Sequence, residues 1–184
     1  MTEKEPSPTK SDSTNSSILD PPGYIKPALQ DLLLTDITTE ELLNIAETLG
    51  VKYLGTASFP GVFPVDGSVK GMNKRLMVNL VCKRASQTST TQAINVVFLI
   101  DTGSPVSYLS QQAFKALLPV NSHIPNCLNV MIQQERVIEC HLSPKDKHFA
   151  DVNVLGADFL VENGLTLVCD YSQKLCQLTD KRLI

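Results

Sequence analysis

The stretch that decides the fold is Val96-Val97-Phe98-Leu99-Ile100-Asp101-Thr102-Gly103-Ser104, an apolar run that ends in a carboxylate, a hydroxyl, a glycine and a second hydroxyl. The run predicts a buried strand over Ile94 to Ile100. Burial of an ionised carboxylate beside such a strand is costly unless hydrogen bonds compensate. We therefore expect Asp101 to have a partner or a chemical use, and Gly103 allows a sharp turn in which backbone amides can reach it.

A second motif, Val154-Leu155-Gly156, lies farther along the chain and is followed by Ala157-Asp158-Phe159-Leu160. Asp101-Thr102-Gly103-Ser104 after an apolar strand, together with this second motif, resembles the active-site signature of retropepsins. These are the aspartic proteases of retroviruses, retrotransposons and their cellular relatives. In that family the second motif runs beside the catalytic loop and leads into a short helix. The resemblance covers about residues 69–178.

The resemblance implies a mostly β fold: one closed, barrel-like lobe of the acid-protease type with short helices, preceded by a helical N-terminal extension. Pepsin-like enzymes carry two such motifs in one chain, whereas this chain carries one and shows no internal repeat. The resemblance therefore implies a symmetric homodimer to which each subunit contributes one Asp101. The expected activity is that of an aspartic endopeptidase that cuts an extended peptide or protein substrate.

Asp101 is the catalytic residue in this interpretation. Two carboxylates side by side cannot both ionise easily, so they share one proton, and one acts as the base that activates a water while the other acts as the acid. The family further implies that Thr102 hydrogen-bonds across the dimer and that Ser104 supports the carboxylate, with Gly103 in the turn between them. This chemistry requires neither a metal nor an organic cofactor.

The alternative is the same fold without activity, a catalytically inactive dimerisation or protein-binding module. Retropepsins cover their substrate with a flap, a glycine-rich hairpin, and no glycine occurs between Leu118 and Gly156. The candidate for a flap is the hairpin predicted over Leu128 to Leu142, which turns near Gln133-Gln134. The family could equally align that hairpin with a later element of the sheet, which would leave a flap that is short or missing. Asp158 is interpreted as a cap of the helix that follows the second motif.

Three segments are predicted along the chain. Residues 1–20 are rich in Ser, Thr and Pro and poor in apolar side chains, which predicts a disordered tail. Residues 21–66 are predicted as a helical segment and linker, and residues 67–184 as the protease-like domain. The clearest helix begins after Thr38, because Glu41 completes a capping box. Its apolar stripe either packs on the neighbouring domain or docks another protein.

The periodicity of apolar residues predicts the remaining elements. Alternation over Leu76 to Lys83 predicts a strand that forms a hairpin with Ile94 to Ile100. Further elements are predicted as a helix over Ser110 to Leu118, strands over Leu128 to Ile132, Arg136 to Leu142 and Phe149 to Leu155, and a last hairpin of Leu165 to Asp170 with Lys174 to Leu178.

Composition argues against several classes of partner. The formal net charge is −3 without a long basic run, so no nucleic acid is expected as a partner. No apolar stretch reaches the roughly 18–20 residues of a membrane span, and residues 1–20 lack the apolar core of a signal peptide. An intracellular, cytoplasmic protein is therefore expected. Five irregularly spaced cysteines are expected as reduced core residues: Cys82, Cys127, Cys140, Cys169 and Cys176.

Other catalytic signatures are absent from the sequence. The sequence contains no GxxxxGK[ST] motif, which would indicate nucleotide hydrolysis, and no GxSxG motif, which would indicate a serine hydrolase. His123, Cys127, Cys140 and His141 lack the CxxC pair or the histidine spacing that is typical of a zinc site. No metal site is predicted.

Overall fold

The structure is a computed structural model that describes residues 37–86, 92–145 and 149–181. These residues belong to one compact unit, residues 31–184. The tail predicted for residues 1–20 and the first part of the predicted helical segment lie outside the described residues. No helix within the described ranges is long and apolar enough to cross a membrane.

The described part of the chain is mostly β-structure with three short helices. Its first elements are α1 (Thr39–Thr48), β1 (Val65–Lys70), β2 (Arg75–Arg84) and β3 (Ile94–Ile100). The middle contains β4 (Tyr108–Leu109), α2 (Gln111–Leu117), β5 (Cys127–Ile132) and β6 (Val137–Leu142). The last elements are β7 (Val154–Leu155), α3 (Ala157–Glu162), β8 (Thr166–Asp170) and β9 (Leu175–Thr179). β1 begins just before the predicted domain start at residue 67, and the division into three segments stays a prediction.

The strand predicted over Phe149 to Leu155 is wrong in its first half. Residues 149–151 form a turn, in which Val152 N donates to Phe149 O at 3.0 Å. Only Val154 and Leu155 pair with neighbouring strands. Phe149 and Ala150 are half-buried and Asp151 is exposed, whereas residues 152–155 are buried. Apolar side chains can be covered in a turn as well as in a strand, so their presence does not distinguish the two.

The described strands form one sheet in which six strands close a ring of pairings. The order is β3-β7-β4-β6-β5-β2-β1-β9-β8, and β2 also pairs with β3. β2 and β3 are antiparallel, with Val78 opposite Phe98, whereas β3 and β7 are parallel. The β8–β9 hairpin extends the sheet beyond the ring through β1.

From Val96 onward β3 is buried on both faces, which explains the unbroken apolar run that follows Asn95. Val96 and Phe98 point into the main core, whereas Val97 and Leu99 belong to a second core on the other side. Its side chains therefore need no polar alternation. Asp101 follows directly after this doubly buried strand.

α1 covers the second core. Thr38 Oγ1 accepts a hydrogen bond from Glu41 N at 3.3 Å, as the predicted cap requires. Leu42, Ile45 and Ala46 are buried against the outer face of β2 and β3. The interpretation of the apolar stripe as a packing surface is therefore confirmed.

The prediction that all five cysteines are core residues is correct for three of them. Cys82, Cys140 and Cys176 are buried, Cys169 is half-buried and Cys127 is exposed at the start of β5. Burial raises the pKa of the Cys82 and Cys140 thiols well above the usual value, and raises the pKa of Cys176 to about 11. Ionisation of these thiols is therefore suppressed in the folded chain.

Alkylation with iodoacetamide at pH 8 is expected to modify Cys127 first and to leave Cys82, Cys140 and Cys176 unmodified until the chain unfolds. Peptide mass spectrometry measures the order. Because the unfolded thiols ionise near pH 9 and the folded Cys176 thiol only near pH 11, the free energy of unfolding should fall as the pH rises above 9. Rapid native alkylation of Cys140 would contradict the buried core.

Candidate active site

Asp101 lies half-buried at the end of β3, in a turn that bonds back to it. Asp101 N donates to Leu155 O at 3.0 Å, which anchors the residue to β7. Gly103 N donates to Asp101 Oδ1 at 2.9 Å, and Ser104 N donates to Asp101 O at 3.1 Å. The predicted approach of a backbone amide to the carboxylate is therefore confirmed.

The two hydroxyl residues of the turn are placed differently. The resemblance implied that Ser104 supports the carboxylate. Its described bond runs instead from Ser104 Oγ to Val106 O at 2.7 Å and stiffens the loop. Thr102 is exposed beside Gly103. The role of Thr102 across a dimer stays a prediction.

The second motif runs beside this turn, as predicted. Ile100 pairs with Leu155 in the parallel β3–β7 ladder. Immediately after Gly156, Ala157 N donates to Ser104 O at 2.8 Å. The two motifs are thus joined at both ends of the Asp101 turn.

A side-chain network that sequence reasoning missed supports the same junction. Ser107 is fully buried, and its N and Oγ donate to the Asp158 carboxylate at 3.0 and 2.7 Å. Ser107 Oγ in turn accepts from Gly156 N at 3.0 Å. Asp158 is not the N-cap residue of α3, which is Gly156. Its carboxylate does accept a bond from Phe159 N at 2.7 Å in the first turn, and it also holds Ser107.

Gly156→Ala is expected to lower the free energy of unfolding by about 1–3 kcal/mol. A methyl group at this position would collide with the Val106 carbonyl and lie 2.9 Å from Asp158 Oδ1. Chemical denaturation measures the loss. The control is Ala157→Gly, a change at the neighbouring residue that adds no atom and cannot collide with the Val106 carbonyl. Unchanged stability of Gly156→Ala would show that the junction is looser than these contacts require.

A cleft of about 410 Å³ opens beside Asp101. The Asp101 cleft is bordered by the β1–β2 turn, the start of β2, the end of β3 and two aromatic side chains. Its lining residues are Asn73, Lys74, Arg75, Leu76, Leu99, Ile100, Asp101, Thr102, Phe149 and Tyr171. These residues come from distant parts of the chain, and so only Asp101 and Thr102 among them were identified as site residues from the sequence.

The hairpin predicted as a flap lies at the other end of the sheet. Gln133 N donates to Val81 O at 2.7 Å, and Gln133 Oε1 accepts from Val81 N at 3.1 Å. Val81 stands opposite Asn95, at the start of β3. At about 3.3 Å per residue, Asn95 and Asp101 are about 20 Å apart. The interpretation of the β5–β6 hairpin as a flap over Asp101 is therefore wrong.

A buried amide, Asn153, organises the approach of β7 to β3. Its Nδ2 donates to Val97 O at 3.0 Å and to Tyr53 Oη at 2.9 Å, and its Oδ1 accepts from Ser110 N at 2.9 Å. Its carbonyl accepts from Leu99 N at 2.8 Å. No sequence pattern singles out Asn153, because its partners come from three separate segments: Tyr53, β3 and Ser110.

The residues considered for zinc do not converge. Cys127 and His141 are opposite each other in the β5–β6 ladder, but Cys140 is buried in the main core. Among the described residues, no three His, Cys, Asp or Glu side chains are grouped so that they could hold a metal ion.

Comparison with known proteins finds similarity to solved structures but none in sequence. No protein-family model matches the chain, and no curated protein matches its sequence. Among solved structures, the chain is similar to a retropepsin-like aspartic protease from Rickettsia conorii, with 18% sequence identity and a TM-score of 0.39. The match covers 63% of this chain and 89% of the other. A similarity of this size carries no argument about the activity of this chain.

Proposed function

We propose that the chain is an aspartic endopeptidase with a retropepsin-like, barrel-like lobe, active as a homodimer. The observation that carries the proposal is the placement of Asp101 at the mouth of a cleft, with the Gly103 amide on its carboxylate and the second motif bonded to its turn. A carboxylate that was only structural would not need to face such a cleft.

In the proposed mechanism, two Asp101 carboxylates from two subunits share one proton. The ionised one draws a proton from a water that attacks the peptide carbonyl, and the protonated one donates to the carbonyl oxygen as negative charge develops there. Gly103 N holds each carboxylate in place, and Thr102 is proposed to bond across the dimer. The substrate is an extended peptide or protein segment.

The position of the β5–β6 hairpin favours the alternative, a catalytically inactive module with the same fold. A flap excludes water and holds the substrate, so its loss would weaken catalysis. The β1–β2 turn borders the Asp101 cleft with Asn73 and Lys74. Whether this short turn suffices is decided by activity.

The test is cleavage of a peptide library between about pH 4 and 7, with products identified by mass spectrometry and the oligomeric state measured by light scattering. Cleavage by a dimer is the expected result. A dimer that cuts no peptide would favour the inactive module, and a monomer at all concentrations would remove the shared active site.

A further inference from the structure

The Asp101 cleft adjoins a second cleft, and together they form one surface that is rich in cations. The second cleft, also of about 410 Å³, lies between the β1–β2 and β8–β9 turns. Lys74 and Tyr171 line both clefts, so the two are continuous. We define the lysine surface by its four cationic residues, Lys70, Lys74, Arg75 and Lys174.

The charge of the lysine surface is opposite to that of the whole chain. Asp101 is the one carboxylate residue that lines either cleft in the described ranges, against the four cations. The chain as a whole carries a formal charge of −3. Asp170, next to Tyr171, adds a second negative charge, and its Oδ1 accepts bonds from Ser172 and Gln173. The three lysines alone outnumber these two carboxylates. A concave surface with excess positive charge attracts anions.

Lys74 and Lys174 occupy equivalent positions in two different hairpins. Each is the residue before the second strand begins, with φ of 54° and 56°. This left-handed region favours Gly or Asn, because most side chains are strained there. Neither lysine forms an ion pair with another described residue. The turns themselves therefore give no reason for a long cation at either position, and strain of this kind is common at functional sites.

We propose that the lysine surface binds the acidic side chains of a peptide whose apolar residue occupies the Asp101 cleft. Leu76, Ile100 and Phe149 line that cleft and match an apolar residue. Successive residues of an extended peptide are about 3.3 Å apart, so neighbouring Asp or Glu residues extend into the second cleft. The placement of the scissile bond at Asp101 rests on the proposed endopeptidase function, whereas the binding of an acidic peptide does not.

A peptide fits this surface better than a nucleic acid. The cations are confined to two clefts that also contain apolar side chains, and the net negative charge of the chain opposes a long phosphate backbone. Short acidic segments require only the local excess of positive charge.

The test measures binding to the full-length Asp101→Asn chain, so that no peptide is cut. The probe is a fluorescein-labelled peptide of about ten residues with a Phe-Leu centre and four glutamates on one side. The control peptide carries four glutamines in place of the glutamates. Fluorescence anisotropy at about 50 mM salt is expected to show about tenfold tighter binding of the glutamate peptide, and about 500 mM salt should remove most of the difference.

The double variant Lys74→Gly, Lys174→Gly is expected to lose about tenfold in affinity for the glutamate peptide. Glycine suits the positive φ at both positions, so the variant should fold at least as well as the parent. Asn121→Gly, at φ of 64° in an exposed loop, makes the same backbone change without a change of charge, and Lys115→Gln removes a cation outside the surface. Both controls should bind normally.

Equal binding of the two peptides, or normal affinity of the double lysine variant, would overturn the proposal. Tighter binding of a single-stranded oligonucleotide of similar length would overturn it as well. Glutamate-dependent binding by a chain whose wild type cuts no peptide would refute the endopeptidase and retain the lysine surface. Cleavage without any preference for acidic peptides would do the reverse.

Discussion

Asp101→Asn is expected to reduce peptide cleavage by about 10²–10⁴-fold without unfolding the chain. The asparagine side chain has nearly the same shape, and its Oδ1 can still accept the bond from Gly103 N, which is 2.9 Å long in the native turn. A neutral amide, however, cannot take a proton from the attacking water. Initial rates on a peptide found in the library measure the loss, and circular dichroism checks the fold.

The matched control is Asp151→Asn, which removes an exposed carboxylate outside the Asp101 cleft. It should cleave at the wild-type rate. Retention of more than about a tenth of the wild-type activity by Asp101→Asn would exclude Asp101 as the catalytic base.

A mixing experiment shows whether the active site is shared. When equal amounts of wild type and Asp101→Asn exchange subunits at constant total concentration, about one quarter of the dimers contain two aspartates. Activity should then fall to about one quarter of the wild-type value. A fall to about one half would indicate that each subunit works independently. That outcome would contradict a mechanism that needs one Asp101 from each of two subunits.

Asn153→Ala is expected to destabilise the fold by about 3–5 kcal/mol, because several buried polar groups lose their partner. The change leaves Ser110 N and Val97 O in the interior without their amide partner, and a buried polar group without a partner costs about 1–3 kcal/mol. Tyr53 Oη also loses its bond, and burial already raises the pKa of this hydroxyl. Urea denaturation with unchanged m-value measures the loss of stability.

Asn129→Ala, an exposed position on β5, serves as the control and should change the free energy of unfolding by less than about 0.5 kcal/mol. Because the Asn153 side chain also holds β7 against β3 through Val97 O, weakened cleavage should accompany the loss of stability. A cost below about 1 kcal/mol would mean that water replaces the amide.

The elements that the sequence predicts well are those set by local rules. The alternation in β2, the apolar run of β3, the Thr38 cap and the turn at Gly103 each depend on residues within a few positions of one another. The pairing of the second motif with β3 was expected only through the family resemblance. Local periodicity fails at Phe149 to Asp151, where two half-buried apolar residues and the exposed Asp151 form a turn.

The sequence by itself therefore determined a mostly β chain whose buried strand ends in Asp101 and whose glycine turn brings an amide to that carboxylate. Only the tertiary structure decided that Asp158 holds Ser107, that Asn153 joins segments up to 100 residues apart, and that the β5–β6 hairpin turns away from Asp101. The same holds for the lysine surface, whose cations come from two separate hairpins. The physical reason is that strand periodicity and turn stereochemistry act over neighbouring residues, whereas hydrogen bonds and clefts between distant segments depend on how the whole sheet closes.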